Sequence, residues 1–229
     1  MNNLKVAILI DGGFFIKRYF KVYENSQNHT PEEVAKTLYT LAHRHVGDEN
    51  YLYRIFYYDC LPFEKRIHNP VTNRVINFAT TSQAVFRKAL FEELKKKRKV
   101  ALRLGYIKET GNWLIKPRLT KDLIKGALLI SQLQENDIIF EMRQKGIDIK
   151  IGVDIASLAL KRFVDKIILI SGDADFVPAA KLARREGIDF VLDPMWNPID
   201  DSLFEHIDGL HSTCPRPKPR KNNNSQQSI

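Results

Sequence analysis

Four aspartates stand at or near the ends of apolar segments and could together bind a divalent cation. They are Asp11, Asp154, Asp173 and Asp175. Asp11 closes the apolar run at residues 6–10, Asp173 and Asp175 follow the run at 167–171, and Asp154 opens an apolar helical pattern. Short apolar runs without alternation are typical of strands buried in a parallel sheet, whose carboxyl ends face the ligand crevice. Carboxylates gathered there repel one another, which predicts Mg²⁺ or Mn²⁺ between them.

Each of these aspartates also has a purely structural explanation. Asp11 precedes two glycines and could bond its own turn, while Asp175 could cap the helix that follows it. Asp154 could be an ordinary aspartate of a first helical turn. Asp173 cannot cap the same helix at the same position as Asp175, so a capping role leaves it unexplained. The presence of all four on separate segments favours a shared metal site.

The spacing Asp173-x-Asp175 indicates a particular kind of chemistry. It places two carboxylates on one tight turn, where Ser171 and Gly172 would let the backbone approach a ligand. Two cations about 4 Å apart could clamp the attacking and leaving oxygens of a phosphodiester. The sequence contains no Gly-x-Ser-x-Gly elbow and no Cys–His pair that would supply a side-chain nucleophile. Metal-assisted attack by water is therefore the predicted reaction.

Composition is compatible with an enzyme that acts on a polyanion. The chain has 229 residues, of which 44% are hydrophobic, and a net charge of +9. Such a chain can bury a sizeable core, and its positive charge favours an acidic partner such as nucleic acid. Residues 95–99 are five consecutive cations, which are either a solvated helix end or a ridge that grips phosphates.

Cysteine usage and the termini indicate a cytoplasmic protein of one domain. The two cysteines, Cys60 and Cys214, form no zinc-binding pattern, and Cys214 falls in a predicted flexible tail, so we expect no structural disulfide. The first apolar run is too short for a signal peptide or a membrane span. We predict a single domain over residues 1–211 and a disordered basic tail over 212–229.

Hydrophobic periodicity and turn residues predict alternating strands and helices. The predicted strands cover residues 6–10, 51–58, 100–107, 113–116 as the return strand of a hairpin, 147–151, 167–170 and 188–192. The predicted helices cover residues 14–22, 31–46, 82–99, 118–134, 137–145, 154–163, 176–186 and 202–207, with a loop over 60–80.

Three segments resemble those of a known family. They read Ile10-Asp11-Gly12-Gly13, then Gln144-Lys145-Gly146-Ile147-Asp148 with Val153-Asp154, then Ile170-Ser171-Gly172-Asp173-Ala174-Asp175-Phe176-Val177-Pro178. Together they resemble the NYN domain, in the LabA-like branch of the PIN-like metal-dependent nucleases, over about residues 4–208. The resemblance implies a Rossmann-like three-layer α/β/α sandwich with a central, mainly parallel sheet.

The resemblance also implies a site and a substrate. Mg²⁺ or Mn²⁺ would be held by the aspartates at positions 11, 154, 173 and 175, with Asp11 and Asp173 as central ligands, and RNA would be the substrate. Ser171 would orient a water or a phosphate, and Lys145 would steer the RNA backbone. If the protein is a ribonuclease, we expect Lys17, Arg18 and the run at residues 95–99 to supply phosphate contacts. Asp148, in the Lys-Gly-x-Asp stretch, is either a supporting group of the site or a turn aspartate.

One departure from the family concerns the first strand. Many members carry an asparagine shortly after the first aspartate, whereas this chain reads Gly13-Phe14-Phe15. We therefore expect the coordination at that corner to differ from that of such members.

The predicted function is a metal-dependent ribonuclease. The alternative is a catalytically weak or inactive RNA-binding regulatory module of the same fold, and association into a homo-oligomer stays open. A haloacid-dehalogenase-type phosphatase would need a second aspartate at position 13, and a phospho-receiver would need an order of acidic residues that this chain does not show. No Gly-x-Gly-x-x-Gly follows a strand, which disfavours a nicotinamide enzyme.

Overall fold

The structure is a computed structural model that describes residues 3–217. The strands are β1 Lys5–Asp11, β2 Tyr51–Cys60, β3 Arg66–His68, β4 Val75–Asn77, β5 Val100–Ile115, β6 Ile138–Lys145, β7 Lys166–Ile170, β8 Asp189–Asp193 and β9 Gly209–Leu210. The helices are α1 Gly12–Val22, α2 Pro31–Val46, α3 Ser82–Lys95, α4 Pro117–Ile124, α5 Ile147–Leu160, α6 Val177–Arg185 and α7 Asp201–Phe204.

Seven strands form the central sheet in the order β6-β5-β2-β1-β7-β8-β9. All neighbours are parallel except β6, which runs antiparallel to β5 at one edge. In register, Asp11 lies beside Tyr58 of β2, and Ile10 lies beside Ile170 of β7. The segments that follow β1, β2 and β7 therefore leave the sheet at the same carboxyl edge. Strands β3 and β4 form a separate two-stranded sheet.

Helices cover both faces of the central sheet, which confirms the predicted three-layer α/β/α class. Residues of α1, α2 and α3 pack on one face, and residues of α5, α6 and α7 pack on the other. Strand β1 serves both cores, because Val6, Ile8 and Ile10 face the first and Ala7 and Leu9 face the second. All five side chains are fully buried. A strand buried on both faces needs no polar alternation, which explains the uniformly apolar run.

Helix α2 has the bounds that the sequence predicted, because its start is marked by several independent signals. Thr30 and Glu33 form a reciprocal capping box, and Pro31 occupies the first helical position. Strands β1 and β7, also predicted, lie within one residue of their expected limits.

The segment between β5 and α5 departs from the prediction. Residues 100–115 form one long strand with an irregularity between Glu109 and Trp113, so the predicted hairpin is wrong. Its partner is β6, where a helix was predicted. Ile138 and Phe140 of β6 are buried while Ile139 is exposed, and this short alternation is followed by residues that favour helices. Pairing with β5 therefore overrides the local propensity.

Two further element predictions are corrected by the helix α5 and by the loop after β2. Residues 147–151, predicted as a strand, are the first turns of α5, in which Ile147, Ile151 and Ile155 are buried at helical spacing. The predicted loop at 60–80 contains the small hairpin of β3 and β4. Within residues 116–137, only 117–124 form an α-helix.

The predicted tail begins too early. Cys214 is buried, its carbonyl accepts a hydrogen bond from the Trp196 indole, and the Thr213 hydroxyl donates to the carbonyl of Leu41. Residues 212–214 therefore pack on the domain, and the prediction of disorder is wrong there. Residues 218–229 lie outside the described part of the chain. The thiols of Cys60 and Cys214 are both free and buried. Between residues 3 and 217, no helix combines the length and apolar character needed to cross a bilayer.

The junction of β1 and α1 leaves no room for a side chain at Gly12, which yields a first prediction. A Cβ atom there would lie 2.6 Å from Cζ of the buried Tyr57 and 2.7 Å from the carbonyl oxygen of Tyr58. Gly12→Ala should therefore lower the free energy of unfolding by about 1–3 kcal/mol, measured by urea denaturation.

Gly152 provides the matched control, since it lies inside α5 with nothing within 4 Å of an added Cβ. Gly152→Ala should raise the free energy of unfolding by about 0.5–1 kcal/mol. If both alanine variants lose stability equally, crowding at Gly12 is not the cause.

Candidate metal centre

Asp11 occupies the junction between β1 and α1. Its carboxylate oxygen Oδ1 accepts a hydrogen bond of 3.0 Å from the backbone N–H of Phe14, which caps α1. Burial raises the pKa of Asp11 to about 6, against the lowering effect of that hydrogen bond. The charges of Asp148 and Asp59 raise the pKa further. Asp11 thus caps a helix, as its structural explanation required, and also faces other carboxylates.

Asp173 and Asp175 lie on the turn after β7, and both are exposed. Oδ1 of Asp173 accepts a 3.0 Å hydrogen bond from the N–H of Asp175, so Asp173 is the capping residue and Asp175 is not. The hydroxyl oxygen of Ser171 accepts from the N–H of Asp173 at 3.4 Å. Ser171 is fully buried, so it shapes this turn and cannot contact a substrate directly as predicted.

Asp148, in the first turn of α5, joins this group. Partial burial raises its pKa, and so do the charges of Asp173 and Asp175. Asp148 in turn raises the pKa of Asp11. The carboxylates at positions 11, 148, 173 and 175 therefore interact through their charges at one edge of the sheet, and we call them the acidic edge.

The structure does not bring Asp154 into the acidic edge. Its Oδ2 accepts hydrogen bonds from the Tyr58 hydroxyl at 2.8 Å and from Nε of Arg103 at 3.0 Å. Asp154 follows Asp148 by six residues in α5, which displaces it by about 9 Å along the helix and about 120° around it. Asp148 thus takes the place that sequence reasoning gave to Asp154.

A buried ion pair lies next to the acidic edge, and sequence reasoning missed it. Arg87 of α3 contacts both carboxylate oxygens of Asp59, the side chain of which is 0% exposed. Burial raises the pKa of Asp59, and the charge of Arg87 opposes this rise. An aspartate near a strand end was visible in the sequence, but no local signal pairs it with an arginine 28 residues later.

The basic residues that were predicted to contact the RNA differ in their exposure to solvent. Lys17 is exposed and lines a groove with Gly13, Gln83 and Arg87, and Lys145 is exposed at the end of β6. Arg18 is buried instead, and its guanidinium donates to the carbonyl of Met195 and the side chain of Asn197. Burial lowers the pKa of Arg18. Its predicted contact with substrate is therefore wrong.

The cationic run at residues 95–99 lies at the opposite edge of the sheet. Lys99 immediately precedes β5 and lies level with Arg54 of β2, which pairs with Ala7 of β1. Ala7 precedes Asp11 by four residues, so Lys99 lies at least about 13 Å from Asp11 along the strand direction. Lys95 and Lys96 form ion pairs within α3 or at its end. The run is thus a solvated helix end rather than a phosphate ridge beside the acidic edge.

At Phe14, where the sequence departs from the family, the Phe14 ring packs against Gly172 together with the side chain of Asn197. A Cβ atom at Gly172 would lie 2.9 Å from the Phe14 ring and 3.4 Å from the side-chain nitrogen of Asn197. The corner where many family members place an asparagine is therefore occupied by an aromatic ring and by an asparagine from the loop after β8. The packing of Phe14 and Asn197 therefore requires a glycine at position 172.

The donor set of the acidic edge fits a divalent cation. Within residues 3–217, no three Asp, Glu, His or Cys side chains stand grouped as they would around a bound metal. Three of the four carboxylates, those of Asp148, Asp173 and Asp175, are exposed and accessible to a cation from solvent. Oxygen donors suit Mg²⁺ and Mn²⁺, and a cation would relieve the repulsion that raises the pKa of Asp11 and Asp148.

Comparison with known proteins identifies the class. The family model for the NYN domain matches residues 70–197, which is more than half of the chain. The chain belongs to the NYN domain family, a family of PIN-like nucleases. Asp148, Asp173 and Asp175 lie inside the matched range, and Asp11 precedes it.

No curated protein matches the chain. A crystal structure of a protein of unknown function from Vibrio parahaemolyticus is similar, with 16% identity, coverage of 91% of each chain and a TM-score of 0.41.

The raised pKa of Asp11 yields a second prediction. Between pH 4 and pH 6 the folded protein holds the proton of Asp11 more tightly than the unfolded chain does, so stability falls as the pH rises through this window. The loss is about 3 kcal/mol above the window. Asn caps a helix as well as Asp does, so Asp11→Asn should raise the free energy of unfolding by about 1–3 kcal/mol at pH 7.5.

Chemical denaturation in EDTA at pH 7.5 and at pH 4 checks this prediction, because the gain should disappear at the lower pH. Asp48→Asn, at an exposed position, is the control and should match the wild type at both pH values. An Asp11→Asn variant that is less stable at pH 7.5 would show that the acidic edge does not strain the fold.

Proposed function

We propose that the protein is a metal-dependent ribonuclease of the LabA-like branch, with Mg²⁺ or Mn²⁺ held by the acidic edge. The observation that carries the proposal is the register of β1 against β7, which brings Asp11 and the turn of Asp173 and Asp175 to one edge of the sheet, where the charge of Asp148 acts on all three. Three of the four belong to the segment that matches a family of nucleases. Asp11, Asp173 and Asp175 are retained from the set indicated by the sequence, and Asp148 replaces Asp154.

The residues of the acidic edge would hold the cation from several directions. Asp11 is fixed at the end of β1 by its bond to the N–H of Phe14, and Asp173 is fixed by its bond to the N–H of Asp175. These bonds set the direction of each carboxylate and leave further oxygen lone pairs for a ligand. A bound cation would supply Lewis acidity toward a phosphodiester and make hydroxide available near neutral pH.

RNA binding is supported by the exposed cations near this edge. Lys17 and Lys145 are free of ion pairs within residues 3–217, and the whole chain carries a charge of +9. Lys17 lines a groove that reaches Gly13, two residues from Asp11. We propose that the RNA backbone follows this groove and that both lysines neutralise phosphates there.

The alternative is an RNA-binding module with little or no catalytic activity. It is favoured by one observation, namely that within residues 3–217 no three carboxylate, imidazole or thiol side chains lie together as they would around a metal ion. Both functions require RNA affinity, and only the nuclease requires turnover with a metal.

A third prediction separates these functions and the two aspartate sets. Single-stranded labelled RNA should be cut by the wild type in Mn²⁺ and not in EDTA. Asp173→Asn and Asp148→Asn should each lower the rate by about 100-fold or more, since each removes a charged ligand. Asp154→Asn, outside the acidic edge, should stay within about 10-fold of the wild type.

Gel analysis of the products measures these rates. Cutting that persists in EDTA would contradict metal dependence, and RNA binding without cutting in Mn²⁺ would establish the inactive module. A rate for Asp154→Asn as low as that for Asp173→Asn would restore Asp154 to the ligand set.

A fourth prediction tests the path of the RNA. Lys17→Ala should weaken RNA binding and reduce the slope of log affinity against log salt by about 0.7, the value for one phosphate contact on a single strand. Lys97→Ala, in the cationic run at the opposite edge, should leave the slope unchanged. Fluorescence anisotropy at several salt concentrations provides the comparison, and equal slopes for both variants would exclude this path.

A further inference from the structure

We propose that a small cavity beside the acidic edge binds one nucleobase of the RNA and gives the protein a base preference. The inference rests on the proposed function, because it takes RNA as the ligand. The cavity has a volume of about 100 Å³ and is bounded by α3, β6 and the segment after β2. Its principal lining residues are Phe63, Phe78, Gln83, Arg87, Met142 and Gln144. This volume would hold about three waters, so it can take the edge of one flat ring but not a whole nucleotide or a longer ligand.

The cavity lies within reach of the acidic edge. From the position of a Cβ atom on Gly13, the Gln144 side-chain oxygen is 3.5 Å away and Oδ1 of Asp11 is 3.4 Å away. The Gln144 amide and the Asp11 carboxylate are therefore no more than about 7 Å apart. The cavity also shares Gln83 and Arg87 with the groove that contains Lys17. A nucleotide whose base enters the cavity would thus keep its phosphate in the groove, next to the acidic edge.

The walls of the cavity offer flat apolar surfaces for a base. Phe63 and Phe78 meet edge to face with ring centroids 5.2 Å apart, and both side chains are partly exposed. Phe140 of β6 stacks behind Phe63 at 5.9 Å and supports it. Unpaired bases in RNA are commonly recognised by stacking on such rings.

Two amide side chains are available to read the edge of a base. Gln83 and Gln144 are both exposed, and within the described residues neither side-chain amide takes part in a hydrogen bond with the protein. Each offers a donor and an acceptor. Glutamine can therefore pair with a base edge in two hydrogen bonds and discriminate among bases.

Charge favours a neutral base over a phosphate in this cavity. Arg87 is the only cation among its lining residues, and it is bound to both oxygens of the buried Asp59. A phosphate there would have to share Arg87 with this carboxylate and would be repelled by it. A nucleobase carries no charge and meets no such opposition.

The test measures base preference without cleavage. In the Asp173→Asn background and in EDTA, fluorescence anisotropy would give the affinities for labelled hexamers of A, C and U. One of the three should bind about 10-fold more tightly than the weakest. Gln83→Leu together with Gln144→Leu should bring the three affinities within about two-fold of one another.

Gln132→Leu is the matched control, since Gln132 is exposed and lies outside the cavity lining. It should retain the preference. A hexamer without bases should bind at least 10-fold more weakly than the preferred hexamer. Thermal melting of each variant establishes that it is folded.

Equal affinities in the parent, a preference that survives both glutamine changes, or full affinity of the hexamer without bases would overturn the proposal. Cleavage of the same RNAs by the wild type in Mn²⁺ is measured in parallel. Metal-dependent cutting without a base preference removes the cavity proposal and leaves the nuclease. A preference abolished by the glutamine changes, in a protein that does not cut, leaves the cavity and removes the nuclease.

Discussion

The register of β1 between its neighbours places negative charges where they repel one another. Asp11 ends β1 beside Tyr58, and Ile10 lies beside Ile170, so the turn with Asp173 leaves the sheet at the same level. The apolar side chains below Asp11 are fully buried on both faces of the sheet, and the register cannot slip without exposing them. Burial of β1 thus stabilises an arrangement that is electrostatically unfavourable by itself, which is the condition that a cation site requires.

The buried pair of Asp59 and Arg87 connects this edge to the cavity beside it. The Asp59 carboxylate also accepts a 2.7 Å hydrogen bond from the N–H of Cys60, so its position is fixed. Its charge raises the pKa of Asp11, while Arg87 neutralises it toward the cavity. One ion pair therefore affects two neighbouring regions differently: it adds to the negative potential at Asp11 and leaves the cavity without a free cation.

Sequence patterns correctly predicted the elements that are determined by neighbouring residues. They gave wrong predictions where contacts with residues distant in the sequence determine the structure. Strand β1 was recognisable from its apolar run, and helix α2 was recognisable from Pro31 and the acidic residues Glu32 and Glu33 that follow it. Strand β6 was not, because its second half consists of helix-favouring residues that only pairing with β5 holds extended. The same limit applies to the site. Asp148 can be identified as a site residue in place of Asp154 only if α5 is known to begin at Ile147. The isoleucines at positions 147, 149 and 151 favour a strand by their type and alternation, so the sequence did not indicate a helix there. The burial of Arg18 depends on a loop almost 180 residues later.

The loop after β8, which contains Met195, Trp196 and Asn197, fixes the position of the turn that carries Asp173. Met195 and Trp196 have positive φ angles of 46° and 61°, a conformation that costs about 1–3 kcal/mol per non-glycine residue unless surrounding contacts fix it. The contacts are present, because Asp193 accepts from the N–H of Met195 at 2.7 Å and Arg18 donates to the Met195 carbonyl. Arg18 also holds Asn197, whose amide nitrogen lies near Gly172. The buried cation that was expected to bind substrate instead fixes a strained loop against the turn that carries Asp173, so its contribution to the site is to position that turn.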